Sequence, residues 1–163
     1  MGRSVQDLID GLKINIDLSA TEIRIPGKNL TSLKGIEKFT KLKGFECSYN
    51  LLETLEGIEK LVDLEVLYCD NNKLTSLKGI ENLIKLTKLR CEKNKLVSLE
   101  GIENLTNLTG LVCYDNLLNA KYDGLRDQEL VQKIKLESHL KQNDDLRGAA
   151  SISDTGLFDF KQK

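Results

Sequence analysis

Residues 89–96 read "LRCEKNKL", and near-copies of that string stand at 45–52 ("FECSYNLL"), 67–74 ("LYCDNNKL") and 111–118 ("LVCYDNLL"). Each copy holds one cysteine, and together they hold all 4 in the chain: Cys47, Cys69, Cys91 and Cys113, set 22 residues apart. Evenly spaced cysteines admit a zinc site, a disulfide framework, a reactive array or no chemistry at all. Their spacing does not choose among these; the pattern around them does.

The 22-residue period extends outward from the cysteines. With Phe39, Leu61, Leu83 and Leu105 as position one, apolar residues recur at positions one, four and seven (Phe39, Leu42, Phe45; Leu61, Leu64, Leu67; Leu83, Leu86, Leu89; Leu105, Leu108, Leu111). The cysteine is position nine, and position twelve is Asn50, Asn72, Asn94 or Asn116. Leu52, Leu74, Leu96 and Leu118 take position fourteen, and Leu55, Leu77 and Leu99 take position seventeen. A Gly-Ile pair follows at 57–58, 79–80 and 101–102. A degenerate first copy begins near Asp17, with Ile23, Leu30, Leu33, Gly35 and Ile36 in phase; Ile25 stands in the cysteine place and Lys28 in the asparagine place. A fixed period of this length signals an array of small units, each unable to bury its own apolar face.

The pattern L-x-x-L-x-x-L-x-C-x-x-N-x-L-x-x-L-x-G-I-x-x resembles the 22-residue bacterial class of leucine-rich repeats found in internalins, over roughly residues 17–120. The resemblance implies a curved parallel solenoid that usually binds proteins. It also implies that the asparagine amide bonds to buried backbone groups of adjacent turns, a structural role for Asn50, Asn72, Asn94 and Asn116. The residues themselves agree. Positions seven and nine lie two apart and share one face of a strand, while six, eight and ten face the other way. The expected fold class is therefore α/β: a right-handed solenoid with a parallel sheet on its concave face and helical caps at both ends. Glycine at position nineteen suits a tight turn on the convex side.

That arrangement decides the cysteines. Parallel strands lie ~4.8 Å apart, so four thiols at one position form a row about 14 Å long. Zinc needs its sulfurs about 2.3 Å from one ion, which a row does not provide. Stacked side chains also hold neighbouring Cβ atoms at about 4.8 Å, wider than the ~3.8 Å of a disulfide. Cys47, Cys69, Cys91 and Cys113 are read as small buried hydrophobes with a structural role.

The ends must cover the core cross-section. Residues 1–16 are expected as an N-terminal cap: Val5, Leu8, Ile9 and Leu12 follow helical spacing, Ser4 and Asp7 resemble a capping box, and Ile14, Ile16 and Leu18 alternate as a strand. Repeats fill 17–120. A helix over 126–142, within a capping segment 121–142, offers Leu130, Val131, Ile134 and Leu140 to close the core, with His139 on its surface. The domain is thus 1–142. The segment 143–163 is read as a linker or short recognition tail bearing Leu157, Phe158 and Phe160.

Net charge is −1 and the pI about 5.9, so nothing global attracts nucleic acid or an anionic membrane. No apolar run reaches the ~18 residues of a membrane span, and the start lacks a signal-peptide pattern. A cytoplasmic location is expected, a secreted effector being the alternative. No catalytic motif and no cofactor or metal signature appears, and the chain has a single histidine. The expected function is a non-enzymatic, monomeric protein-interaction module (adaptor, inhibitor or effector). Its partner would sit on a concave face built from Glu46, Tyr49, Val66, Tyr68, Asp70, Lys88, Arg90, Glu92, Lys93, Val112, Tyr114 and Asp115. The competing reading is a structural or self-assembling unit that acts through its ends or tail.

Overall fold

The computed structural model of the chain describes residues 2–12, 17–118, 122 and 127–153. Five three-residue strands, β2 (Glu22–Arg24), β4 (Gly44–Glu46), β5 (Val66–Tyr68), β6 (Lys88–Arg90) and β7 (Gly110–Val112), form one parallel sheet in chain order. The register is the sequence period itself, with Ile23, Phe45, Leu67, Leu89 and Leu111 stacked. Behind the sheet each copy turns back through a short loop. In the copies that end just before Phe39, Leu61 and Leu105 it closes with a 3-10 turn (Ile36–Lys38, Ile58–Lys60, Ile102–Asn104). The expected solenoid is the fold.

Apolar side chains at all the periodic positions point between these layers. In the copy that begins at Leu61, the side chains of Leu61, Leu64, Leu67, Cys69, Leu74, Leu77 and Ile80 are at most 1% exposed. The cysteines continue the ladder past each strand's end. Cys47, Cys69 and Cys91 donate their backbone N–H to the carbonyls of Tyr68, Arg90 and Val112, each at 2.8 Å, and Ile25 does the same to Glu46. All four thiols are free and buried. Burial pushes every one of them up, that of Cys113 to about 11 and those of Cys47, Cys69 and Cys91 well above the ordinary thiol value. Two results follow. Cys91→Ser should cost ~1–3 kcal/mol by burying a hydroxyl among apolar groups. Stability should also fall as pH climbs above the ordinary thiol value of 9.0, because the unfolded chain then releases protons that the native thiols retain. Urea melts at pH 8 and pH 10 check the sign. Rapid labelling of several native thiols at pH 8 would overturn the buried-ladder reading.

The asparagines hold the turns together. Asn72 donates its side-chain N–H groups to the carbonyls of Cys47 and Cys69, and its Oδ1 accepts from the N–H of Leu52. Asn50, Asn94 and Asn116 repeat this, each serving the copy before its own as well as its own. The direction of service accounts for Lys28. An asparagine in the first copy would reach back to a preceding turn of the repeat, and the first copy's own backbone is met by Asn50, which accepts from Lys28 and Leu30.

Glutamates form a second ladder. Glu37, Glu59, Glu81 and Glu103 each accept, through Oε2, the N–H of the glycine two residues before, at 2.7–2.8 Å. Those glycines lie at φ 97 to 107, where a side chain is strained, and a Cβ on Gly57 or Gly79 would press on the isoleucine of the previous copy. The motif is Gly-Ile-Glu, and its glutamate was legible as four identical residues in phase.

Position eleven carries a further constraint. Gly27, Tyr49, Asn71, Lys93 and Asp115 all adopt left-handed backbone, with φ between 54 and 62. Glycine, asparagine and aspartate accept this conformation readily, whereas tyrosine and lysine do not. Tyr49→Asn and Lys93→Asn are each expected to raise stability by roughly 0.5–1 kcal/mol, seen as a higher urea midpoint at unchanged slope.

The N-terminal cap is a helix, α1 (Val5–Leu12), preceded by a two-residue strand, β1 (Arg3–Ser4). β1 pairs parallel with β3 (Leu30–Ser32), a second small sheet that the sequence did not suggest. The capping box is present: the Asp7 N–H donates to Ser4 Oγ, and Ser4 donates both its backbone N–H and its hydroxyl to Asp7 Oδ2. These bonds hold the Asp7 carboxyl below its usual value. Val5 and Leu8 are buried and Ile9 partly so. Leu18, expected on a strand, instead sits in a turn and is 52% exposed, because Asp17 and Ser19 tie that turn together by side-chain bonds. Ile14, Ile16 and the side chain of Leu12 lie outside the described residues.

At the other end α2 (Asp127–Ser153) lies against β7 and the last 3-10 turn, with Leu130, Val131 and Ile134 buried. Leu140 does not close the core; it is 56% exposed. At 100° per residue it falls well off the stripe drawn by positions 130, 131 and 134. His139 is exposed, as expected of a surface histidine. The helix also runs eleven residues beyond 142, through a stretch expected as a linker. That stretch is polar but has no proline, and extending an existing helix costs little. Leu157, Phe158 and Phe160 lie outside the described residues.

Candidate functional site

On the open face of the sheet, positions six and eight of neighbouring strands stand side by side. Glu46 pairs with Tyr68, Tyr68 with Arg90 and Arg90 with Val112; Val66 pairs with Lys88. The Arg90 guanidinium carbon lies 5.5 Å from the Tyr68 ring centre, a cation–π contact. Arg90 also donates to Glu92 Oε1, from Nη2 at 2.6 Å and from Nε at 3.2 Å. This contact raises the arginine's affinity for its proton above the ordinary value. Two partners thus hold a half-exposed guanidinium over an aromatic ring. A shallow cleft of about 360 Å³ adjoins it, lined by Arg24, Lys43, Glu46, Glu65, Val66 and Tyr68.

Position ten departs from expectation. Strand alternation assigns Asp70 and Glu92 to the open face, but they are only 6% and 2% exposed, and Ser48 of the same row is 2% exposed. The strands end at position eight. The chain then bends toward the left-handed residue at eleven, so alternation no longer applies. Ser48 donates its hydroxyl to Asp70 Oδ1 at 2.6 Å, and the Asn71 side chain donates to Oδ2 at 2.9 Å. Glu92 Oε2 is buried with no donor among the described residues. The next residue of the row, Tyr114, is 50% exposed.

The twelve residues expected on the face therefore divide into three groups. Glu46, Val66, Tyr68, Lys88, Arg90 and Val112 lie on the strands and form one continuous patch. Tyr49, Lys93, Tyr114 and Asp115 are exposed but stand beyond the strand ends, on a rim. Asp70 and Glu92 lie beneath the surface and act on it indirectly. The buried row could not be read from residue type, because carboxylates normally mark solvent. Among the described residues no group of histidine, cysteine, aspartate and glutamate is arranged to hold a metal ion, and no helix is long and apolar enough to cross a membrane.

A family profile for leucine-rich repeats in two copies matches residues 40–83. The fold resembles an internalin, InlF, of Listeria monocytogenes with a TM-score of 0.61, at 23% identity, over 67% of this chain and 35% of that one. The fold is a leucine-rich-repeat solenoid. The functional domain of InlJ from Listeria monocytogenes, which includes a cysteine ladder, matches at 38% identity and a TM-score of 0.57, over 60% of this chain and 21% of its own. A leucine-rich-repeat protein of Leptospira interrogans matches at 24% identity and a TM-score of 0.57, over 61% of this chain and 26% of its own. This solenoid spans about a third or less of each of these structures. No curated protein matches it. Leucine-rich-repeat folds of this kind are typically protein-interaction modules.

Proposed function

We propose that the chain is a non-enzymatic protein-interaction module that holds its partner on the concave face, with Tyr68 and Arg90 as the central anchors. The observation that carries this is the Tyr68–Arg90–Glu92 unit. A nearly buried carboxylate with one unpartnered oxygen is costly, and other copies place Ser48, Asp70 or Tyr114 at its position, so the solenoid does not require it. What Glu92 does is hold the Arg90 guanidinium over Tyr68, which removes side-chain entropy before a partner arrives. Tyrosine and arginine dominate many interfaces because they bury large area and also hydrogen-bond. The partner is a protein. Four unpaired thiols suit a reducing compartment, and we place the module in the cytoplasm as a monomer.

The test begins with affinity capture from native lysate and then measures the captured partner against variants. Tyr68→Ala is expected to weaken binding by ~2 kcal/mol or more while leaving the urea midpoint nearly unchanged. Arg90→Glu is expected to weaken binding as much but also to lower the midpoint, because it leaves the buried Glu92 carboxylate unpaired beside a second one. Lys78→Glu, on the exposed convex side, should be silent. Wild-type binding by both concave variants, with loss in variants of the ends or tail, would instead favour a structural unit.

A further inference from the structure

The rim beyond the strand ends carries a pattern that the strands do not. Position thirteen of four successive copies reads Leu51, Lys73, Lys95 and Leu117. These four are stacked in register: their N–H groups donate to the carbonyls of Leu30, Leu52, Leu74 and Leu96 at 2.8–2.9 Å. All are exposed, Leu51 by 39% and Leu117 by 65%. Position eleven adds Tyr49, 63% exposed beside Leu51, and Lys93, exposed beside Lys95. Both of these occupy left-handed backbone where other copies use glycine, asparagine or aspartate. The fold gains nothing from that strain, and strain of this kind is characteristic of working surface. Two apolar ends therefore flank a lysine-rich centre, with Asp115 the one acidic side chain at position eleven, at the Leu117 end.

We infer that this rim docks an extended acidic segment of a partner, with two apolar residues four apart and an acidic residue midway between them. The spacing selects the conformation. At ~4.8 Å per copy, Leu51 and Leu117 lie about 14 Å apart, with the midpoint of Lys73 and Lys95 about 7 Å from either. In an extended chain residues i, i+2 and i+4 share a face and lie at 0, about 6.6 and about 13 Å. The outer two meet the leucines and the middle one meets both lysines. A helix rises 1.5 Å per residue, so about 14 Å takes nine or ten residues, and nine residues turn ~900°, onto the opposite face. Strand addition is closed, because the rim N–H groups are already bonded to neighbouring copies, those at position thirteen to the copy before and those of Tyr49 and Lys93 to the copy after. Recognition is by side chains, the charge match setting orientation and association rate. The inference rests on the interaction-module reading but not on the Tyr68–Arg90 patch.

The test uses the ¹⁵N-labelled full chain and two capped nonapeptides. One is Ser-Gly-Leu-Thr-Glu-Thr-Leu-Gly-Ser; the other has Lys in place of Glu. The glutamate peptide is expected to shift the amides of residues 49–51, 73, 93–95 and 117 saturably, and to bind at least about tenfold more tightly than the lysine peptide. The double variant Lys73→Glu/Lys95→Glu should reverse that preference. Since both lysines are exposed, its melting temperature should match wild type, which separates lost binding from lost folding. Shifts centred on Tyr68 and Arg90 would overturn the rim and leave the concave reading standing. No saturable shift at millimolar peptide, or equal binding of the two peptides, would overturn the rim as well. Loss of captured-partner binding in the Arg90 and Tyr68 variants bears on the other reading alone.

Discussion

Asn94→Ala is expected to lower the free energy of unfolding by ~3 kcal/mol, the summed effect of one orphaned buried N–H at ~1–3 kcal/mol and two lost carbonyl bonds at ~0.5–1.5 kcal/mol each. Asn94 is only 8% exposed. Its Oδ1 accepts from the Leu74 N–H at 2.9 Å, and its side-chain N–H groups donate to the carbonyls of Cys69 and Cys91 at 3.1 Å. Alanine orphans the Leu74 N–H in a place water does not reach, and leaves the Cys69 and Cys91 carbonyls with one amide donor fewer, Asn72 and Asn116 still serving them. Asn94→Asp should be at least as damaging, since it keeps the size but turns a carboxylate oxygen toward two carbonyl oxygens. Asn82→Ala, at an exposed site, is the control and should change little. Urea melts decide it: if the Asn94 and Asn82 variants unfold at the same concentration, the asparagine ladder does not hold the turns together. A lower slope in the Asn94 variants would further indicate that copies separate before the whole solenoid unfolds.

Leu130→Asp is expected to be as severe, at ~4 kcal/mol or more, from the lost leucine burial plus the cost of placing a carboxyl against an apolar surface. Leu130 is 1% exposed and lies in the part of α2 that covers the last copy, where Leu105, Leu108 and Leu111 would otherwise face water. In a solenoid each copy is stabilised by its neighbours, so an uncovered end loosens the adjacent copy and then the next. The destabilised protein should show faster amide exchange in β7 than in β4. Leu140→Asp, one helical face away and exposed, should leave exchange and melting unchanged. Equal damage from both substitutions would mean that α2 covers the core with a different face.

Much of this molecule was legible because one unit is repeated. Phe45, Leu67, Leu89 and Leu111 stack as their spacing implied, and Cys47, Cys69, Cys91 and Cys113 are the free buried row that parallel strands required. The Ser4–Asp7 capping box was equally plain, since both partners are local. The glutamates of Gly-Ile-Glu were also in view, four in phase, but carboxylates on a charged surface are easily taken for solvent-facing residues.

The candidate site was harder to read. Alternation placed Tyr68 and Arg90 on the open face, and they are there. It placed Asp70 and Glu92 there too, and the bend after position eight turned them inward. Sequence periodicity by itself determined the solenoid, its register and its core, because those depend on the average fit of many equivalent apolar positions. Only the tertiary structure decided that the Gly-Ile-Glu glutamates serve the backbone, which polar residues lie under the surface and which form the rim. Those outcomes depend on single dihedrals, such as the left-handed turn at Tyr49 and Lys93, and on partners 22 residues away, as for Ser48 and Asp70. No residue-type pattern within one copy carries that information.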